Sequence, residues 1–94
     1  MIVDKFLFNY NTEHIEMPKG SKILKAIAWG PGKFALWALV NPNAPLRKRA
    51  IKLYATGQDI NDELSLTGTY IATLEDGPYI LHVFDHGEMI EVKK

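Results

Sequence analysis

Hydrophobic and polar residues alternate along most of this chain in short runs, and each run ends at glycine, proline, asparagine or aspartate. Alternation with a period of two residues is typical of half-buried β-strands. The pattern predicts strands over residues 3–8, 14–17, 48–56, 66–74 and 79–85.

Two of these runs also predict which side chains share a face of a sheet, because neighbouring residues of a strand point to opposite sides. In the run 48–56, one face carries Ile51, Leu53 and Ala55, opposite Lys52, Tyr54 and Thr56. In the run 66–74, one face carries Thr69, Ile71 and Thr73, opposite Tyr70, Ala72 and Leu74.

Residues 22–29 fit two structures. Their alanines and lysines suit a helix with Ser21 as its N-cap. However, Gly30-Pro31-Gly32 follows at once, and a second β-prone run begins at residue 33. Two runs of similar length around a short glycine-rich turn favour a hairpin, so we predict a strand. Its partner, residues 34–40, is apolar at every position and is expected to be covered on both faces.

Six or seven short strands at this spacing predict a mostly β fold. We expect a small antiparallel sheet or sandwich of about six strands in a single domain, residues 1–94. At most one short helix is predicted, near residues 59–65, where four of the seven side chains are Asp, Asn or Glu. The tail, residues 86–94, either extends the edge of a sheet or reaches a partner.

Composition narrows the class of protein. The formal net charge is zero, which argues against a dedicated DNA or RNA binder. The absence of cysteine excludes disulfides, iron–sulfur clusters, thiolate zinc sites and a cysteine nucleophile. The longest apolar run is far shorter than the roughly 20 residues of a membrane span, and no secretory signal is evident. A cytoplasmic protein without a membrane segment is expected.

The charges are unevenly distributed along the chain. Residues 1–58 contain nine Lys or Arg and three Asp or Glu, whereas residues 59–94 contain two Lys and eight Asp or Glu. One interpretation is an anion-binding face around Arg47, Lys48, Arg49 and Lys52. The other is a solvated turn whose cations pair with the acidic half of the chain.

Catalytic and metal-binding patterns are weak. His82, Asp85 and His86 are close in sequence, but a strand places His82 and Asp85 on opposite faces, and no third ligand has a convincing spacing. Ser21 and Ser65 lack a nucleophile elbow, and the glycines match no phosphate-binding loop. We therefore expect no catalytic residues, no metal and no cofactor, and a protein that is not an enzyme.

A ligand-binding hypothesis remains, because aromatic, glycine and basic residues lie near predicted turns. Aromatic rings stack on bases and guanidinium groups match phosphates. Trp29, beside the Gly-Pro-Gly turn, is the best candidate for an exposed ring, whereas Trp37 is expected in the core. The candidate ligand-binding residues are Trp29, Arg47, Lys48, Arg49, Tyr54, Thr56, Gly57 and Gln58.

Several stretches resemble a family of small phage and prophage proteins. That family shows a proline–glycine turn followed by LWALVDP, GTGHxI, YIGTF and HVFE. The matching residues here are 15–24, 36–42, 55–60, 70–73 and 82–85, in the same order and spanning about four fifths of the chain. Gln58 stands where the family usually has histidine, Ala72 where it has glycine and Asp85 where it has glutamate.

The family is similar to phage sponge proteins, which bind cyclic nucleotide signals of bacterial anti-phage defence and withhold them from effectors. The resemblance implies sequestration, without turnover, of a cyclic di- or trinucleotide or a cyclic ADP-ribose-type ligand. Because a chain of 94 residues offers little concavity, the pocket is expected between subunits of a homo-oligomer.

Two other functions stay open. The first is a protein–protein inhibitor of a host defence enzyme that uses Asp59, Asp62, Glu63, Glu75 and Asp76 to mimic nucleic acid. The second is a structural or accessory phage protein. Substituting Arg47 and Arg49 discriminates between a sponge and a mimic, because it should abolish nucleotide binding and leave a mimic's binding largely intact.

Overall fold

The computed structural model of the chain describes residues 1–60 and 68–89. These residues form seven β-strands and, within the described ranges, no helix. The strands are β1 (Ile2–Asn9), β2 (His14–Pro18), β3 (Lys22–Gly30), β4 (Lys33–Val40), β5 (Leu46–Ala55), β6 (Thr69–Asp76) and β7 (Tyr79–Glu88). The prediction of a mostly β fold is confirmed. The helix predicted near residues 59–65 and the strand start predicted at residue 66 fall largely outside the described residues.

The strands build two antiparallel sheets. The three-stranded sheet has the order β1-β4-β3, and the four-stranded sheet has the order β2-β5-β7-β6. Consecutive strands β1 and β2 lie in different sheets, and so do β4 and β5, so the chain crosses between the layers. No helix in the described part of the chain is long and apolar enough to cross a membrane.

The ambiguous stretch 22–29 is a strand, as predicted. It pairs with β4 through the turn at Gly30-Pro31-Gly32, where Gly30 and Gly32 have φ of 138° and 68°. Residues with a Cβ rarely adopt these conformations. The two glycines therefore allow the chain to reverse within a few residues, and β3 then pairs with β4 with two register shifts.

Apolar side chains from both layers form the core. Phe34, Leu36 and Val40 of β4 are fully buried against Met17, Ile51 and Val83 of the four-stranded sheet. β4 is the central strand of its sheet, and its core-facing residues are buried. On its other face, Trp37 and Leu39 are only half-buried, so the prediction that β4 is covered on both faces holds only in part. The alternation predicted for β5 is confirmed, because Ile51 belongs to the core while Leu53 and Ala55 pack against it.

The alternation predicted for β6 is wrong. The register between β6 and β7 shifts between Tyr70 and Ala72, so Ile71 is an extra residue in a β-bulge. The bulge puts Tyr70 and Thr73 on the same face, where their hydroxyl groups form a hydrogen bond. Ile71 and Ala72 both pack against the core instead of pointing to opposite sides.

The last strand is longer than predicted, because β7 continues beyond Asp85 to Glu88. It does so through a second irregularity, where Arg49 and Ile51 pair with Glu88 and Asp85 and Gly87 has a φ of 88°. The Glu88 carboxylate then accepts a hydrogen bond from the backbone N–H of Gly20, at 2.8 Å. Part of the predicted tail thus belongs to the sheet, and residues 90–94 lie outside the described residues.

An ion pair fixes this end of β7. The Arg49 guanidinium donates to both carboxylate oxygens of Asp85, at 3.0 and 2.8 Å, and to the carbonyl oxygen of Ser21, at 2.6 Å. The backbone N–H of Gly87 donates a further hydrogen bond to Asp85, at 2.9 Å. The two side chains are only 15% and 9% exposed. Arg49 thus joins β5, β7 and the start of β3.

Tyr10 and Asp76 connect the two layers at the opposite end of the sandwich. The Tyr10 hydroxyl donates a hydrogen bond to the Asp76 carboxylate, which also accepts one from the backbone N–H of Gly32, at 3.1 Å. The Tyr10 ring lies edge-on to Phe34, with centroids 5.3 Å apart. The hydrogen bond to Asp76, assisted by burial, raises the pKa of Tyr10 from 10.0 to about 12.

Tyr10→Phe is expected to remove a pH-dependent part of the stability. A raised pKa means that folding favours the protonated phenol, so its contribution is complete below pH 10 and is lost as pH rises toward about 12. Absorbance titration of phenolate in the folded protein should show one component near 12 that Tyr10→Phe removes. An unchanged titration curve in the variant would contradict this assignment.

Candidate functional site

Trp29 lies at the end of β3, immediately before the turn, and is 47% exposed. Its ring stands edge-on to Trp37, with centroids 6.0 Å apart and an interplanar angle of 69°. The Lys5 ammonium lies 4.6 Å from the centroid of the Trp29 ring, within cation–π distance. The prediction that Trp29 is exposed is confirmed, and the ring is held in place by two neighbours.

Trp37 is not part of the core. Its neighbours Leu36 and Ala38 point into the core, so Trp37 projects from the other side of β4, where it is half-buried. The sequence-based placement of Trp37 in the core is therefore wrong. The two tryptophans lie instead on the outer face of the three-stranded sheet, the face turned away from the four-stranded sheet.

The outer face is apolar and cationic. Strand register places Lys5 and Lys25 on either side of Trp37, Lys22 beside Leu39, and Lys33 beside Asn9. Among the described residues, the register positions of this face hold four lysines and no Asp or Glu. We call this surface the basic–aromatic face, defined by Lys5, Lys22, Lys25, Lys33, Trp29, Trp37, Val3 and Leu7.

A depression of about 280 Å³ lies on this face beside Trp29. Its lining consists of Leu7, Phe8, Asn9, Thr12, Trp29 and Lys33. Asn9 and Thr12 hold the rim through the turn after β1, because the Asn9 N–H donates to the Thr12 hydroxyl at 3.1 Å. The depression therefore combines an aromatic ring, an ammonium group and an apolar wall.

Three of the predicted ligand-binding residues lie at the Trp29 end of the sandwich, but on the other sheet. Thr56 follows β5, and its hydroxyl lies 2.8 Å from Nε2 of His82. Gly57 has a φ of 84° in the turn that follows. The Gln58 side-chain oxygen accepts a hydrogen bond from the backbone N–H of Ala55, at 3.0 Å, and so closes this turn.

Tyr54, predicted as a ligand-binding residue, is only 7% exposed, so little of its ring is accessible to a ligand in one copy of the chain. It lies on the outer face of the four-stranded sheet, edge-on to Phe84, with its hydroxyl 3.3 Å from Nε2 of His86. His82 belongs to the same surface, and its Nδ1 lies 2.8 Å from the Tyr70 hydroxyl. His82 is half-buried in β7. Its contact with Tyr70 could not be predicted from the sequence, because it depends on the bulge in β6.

The basic residues of the predicted set lie at the other end of β5. Arg47 and Lys48 are exposed near its start, whereas the Arg49 guanidinium forms the ion pair with Asp85. Seven residues of strand separate Arg47 from Tyr54, about 23 Å at ~3.3 Å per residue. The predicted set is therefore distributed over both sheets and over both ends of the sandwich.

The basic half and the acidic half of the sequence partly contact each other in the fold. Arg49 pairs with Asp85, and Gly20 binds Glu88, so the acidic half contacts the basic half at the start of β5. Lys5 and Lys33 on the basic–aromatic face were missed by sequence analysis. They could have been found from strand alternation, because Lys5 and Lys33 lie on the same face of the sheet as Trp37.

No group of three or more His, Asp or Glu within the described residues could hold a metal ion. Comparison with known proteins gave one match: a family model described as a domain of unknown function, over residues 2–93. No curated protein and no solved structure matches the chain. Because the match covers nearly every residue, the chain belongs to the DUF7352 family.

Proposed function

We propose that this protein binds and sequesters a cyclic nucleotide signal of bacterial anti-phage defence, with the Trp29 depression as its binding site and without turnover of the ligand. One observation carries the proposal: an exposed tryptophan ring, in contact with the Lys5 ammonium, lies at the edge of a depression that Lys33 also lines. The phage origin rests on the sequence resemblance alone.

The chemistry of the depression suits a nucleotide. A base that stacks on an exposed aromatic ring contributes about 1–3 kcal/mol. Lys5 and Lys33 supply positive charge beside that ring, where the phosphates of a stacked nucleotide would lie. The contact with Trp37 already orients the Trp29 ring, so little conformational freedom is lost on binding.

The volume of the depression bears on the size of the ligand. At about 280 Å³ it is slightly below the roughly 300–1,000 Å³ of small-molecule sites. One copy of the chain would therefore cover only part of a cyclic di- or trinucleotide. A second copy would complete the site, which agrees with the self-association expected from the sequence.

Thermal unfolding in the presence of separate cyclic di- and trinucleotides and cyclic ADP-ribose isomers tests the proposal. A ligand at 100 times its Kd should add about 2.7 kcal/mol, which raises Tm by roughly 10–20 °C in a domain of this size. The linear nucleotide of the same composition is the matched control. The ligand should be recovered chemically unchanged after heating.

Two results would contradict the proposal. If no cyclic nucleotide moves Tm, the protein is not a nucleotide sponge. If a ligand is bound but recovered as a cleaved product, the protein turns its ligand over and is an enzyme.

A further inference from the structure

We propose that β1 pairs with β1 of a second copy of this chain, antiparallel and about a two-fold axis, so that two three-stranded sheets become one six-stranded sheet. This inference goes beyond nucleotide binding and does not depend on it. It rests on the edge that β1 leaves open and on the charges along that edge.

β1 is a long, regular strand with one unpaired side. Among residues 1–60 and 68–89 it pairs with β4 alone, and the register runs without interruption from Ile2 to Asn9. Ile2, Val3 and Leu7 are exposed, although strands of this composition are usually covered. An unpaired strand presents a row of backbone N–H and C=O groups that another strand can complete, and soluble proteins normally protect such edges.

The other edge strands of the described structure carry protection of the usual kinds. β2 has only five residues and ends at Pro18. β3 has two register shifts and lies against β6. β6 has the bulge at Ile71. Short length, proline and bulges all discourage pairing at an edge, and β1 has none of them.

A second copy of β1 is the partner that fits by symmetry. A two-fold axis perpendicular to the sheet reverses the strand direction and keeps each side chain on its own face. Residues of the two copies that oppose each other then have numbers of the same parity. Only a few registers with long overlap meet this condition.

The charges on β1 select among these registers. Centring the pair on Asp4 or on Lys5 would place two like charges opposite each other, which is unfavourable. Centring it on Phe6 avoids this and keeps residues 3–9 paired. Phe6, half-buried in one copy, then meets Phe6 of the second copy, and Lys5 lies opposite Leu7 of the second copy.

This register joins the two basic–aromatic faces on one side of the six-stranded sheet. Each copy contributes its Trp29, Lys5 and Lys33, so a dimer presents two such sets on a continuous surface. If the proposed function holds, such a surface suits a ligand that contains two bases.

Leu7 provides a test in which one position gives opposite effects. Leu7 is 61% exposed and is expected opposite Lys5 of the second copy. Leu7→Glu places a negative charge opposite Lys5 of the second copy, and Leu7→Lys places a positive charge there. Because of the two-fold symmetry, this contact occurs twice in each dimer. Sedimentation equilibrium without ligand should show a dimer for the unmodified protein, and a Kd about tenfold or more weaker for Leu7→Lys than for Leu7→Glu.

Both variants lack the leucine side chain, so the difference between their Kd values reports the effect of the charge alone. Circular dichroism checks that both remain folded. Tyr79, also 61% exposed but outside β1, is the matched control, and Tyr79→Glu and Tyr79→Lys should dimerise alike. High salt should narrow the difference between the Leu7 variants. The inference fails if the unmodified protein stays monomeric up to millimolar concentration, or if the two Leu7 variants have the same Kd.

Discussion

Asp85→Ala is expected to lower the free energy of unfolding by about 3–5 kcal/mol, the usual cost of removing one partner of a buried ion pair. The substitution leaves the Arg49 guanidinium in a site where its side chain is only 15% exposed. It also removes the acceptor for the Gly87 N–H, which supports the irregular turn of β7. In a domain of this size the loss corresponds to a fall in Tm of more than about 12 °C.

Chemical denaturation of Asp85→Ala and of a double variant measures the effect. Arg49→Met combined with Asp85→Leu should be closer in stability to the unmodified protein than Asp85→Ala is, because neither charge then stays buried alone. Asp4→Ala is the control at an exposed carboxylate and should change stability by no more than about 0.5 kcal/mol. A loss below about 1 kcal/mol for Asp85→Ala would show that the pair contributes little.

The parts of this fold that depend on local sequence could be predicted, whereas the parts that depend on distant contacts could not. The strands were predictable because alternation and turn residues are local signals, and Gly30 and Gly32 mark the hairpin within the chain itself. The continuation of β7 past Asp85 was not predictable, because it depends on Arg49, the ion-pair partner of Asp85 that lies 36 residues away. The bulge at Ile71 depends in the same way on pairing with β7.

In the candidate site, too, features set by local sequence were predictable and contacts between distant residues were not. Exposure of Trp29 was predictable because the ring adjoins a tight turn. Lys5 was not associated with Trp29 because the two residues meet only through the pairing of β1 and β3 with β4. Arg49 was grouped with Arg47 by proximity in sequence, and alternation does place both on the same face of β5. What sets Arg49 apart is its ion pair with Asp85, a residue distant in sequence.

Trp29→Ala is expected to weaken binding of the nucleotide by about 5- to 150-fold. The reason is the loss of one stacking interaction of about 1–3 kcal/mol. Trp29→Phe keeps an aromatic ring at the same position and should retain most of the affinity. Because Trp29 is nearly half exposed, neither change should greatly alter folding stability. Isothermal titration calorimetry with the ligand that gives the largest shift in Tm measures the difference.

Arg47→Ala is the matched control, because Arg47 is exposed at the opposite end of the sandwich from Trp29. Only a small change in affinity is expected, since a charge this far from the ligand is largely screened by salt. If Arg47→Ala weakens binding strongly and Trp29→Ala does not, the ligand occupies the basic residues at the start of β5, as the sequence analysis predicted. Nucleotide sequestration would then stand, and the Trp29 depression would not be its site.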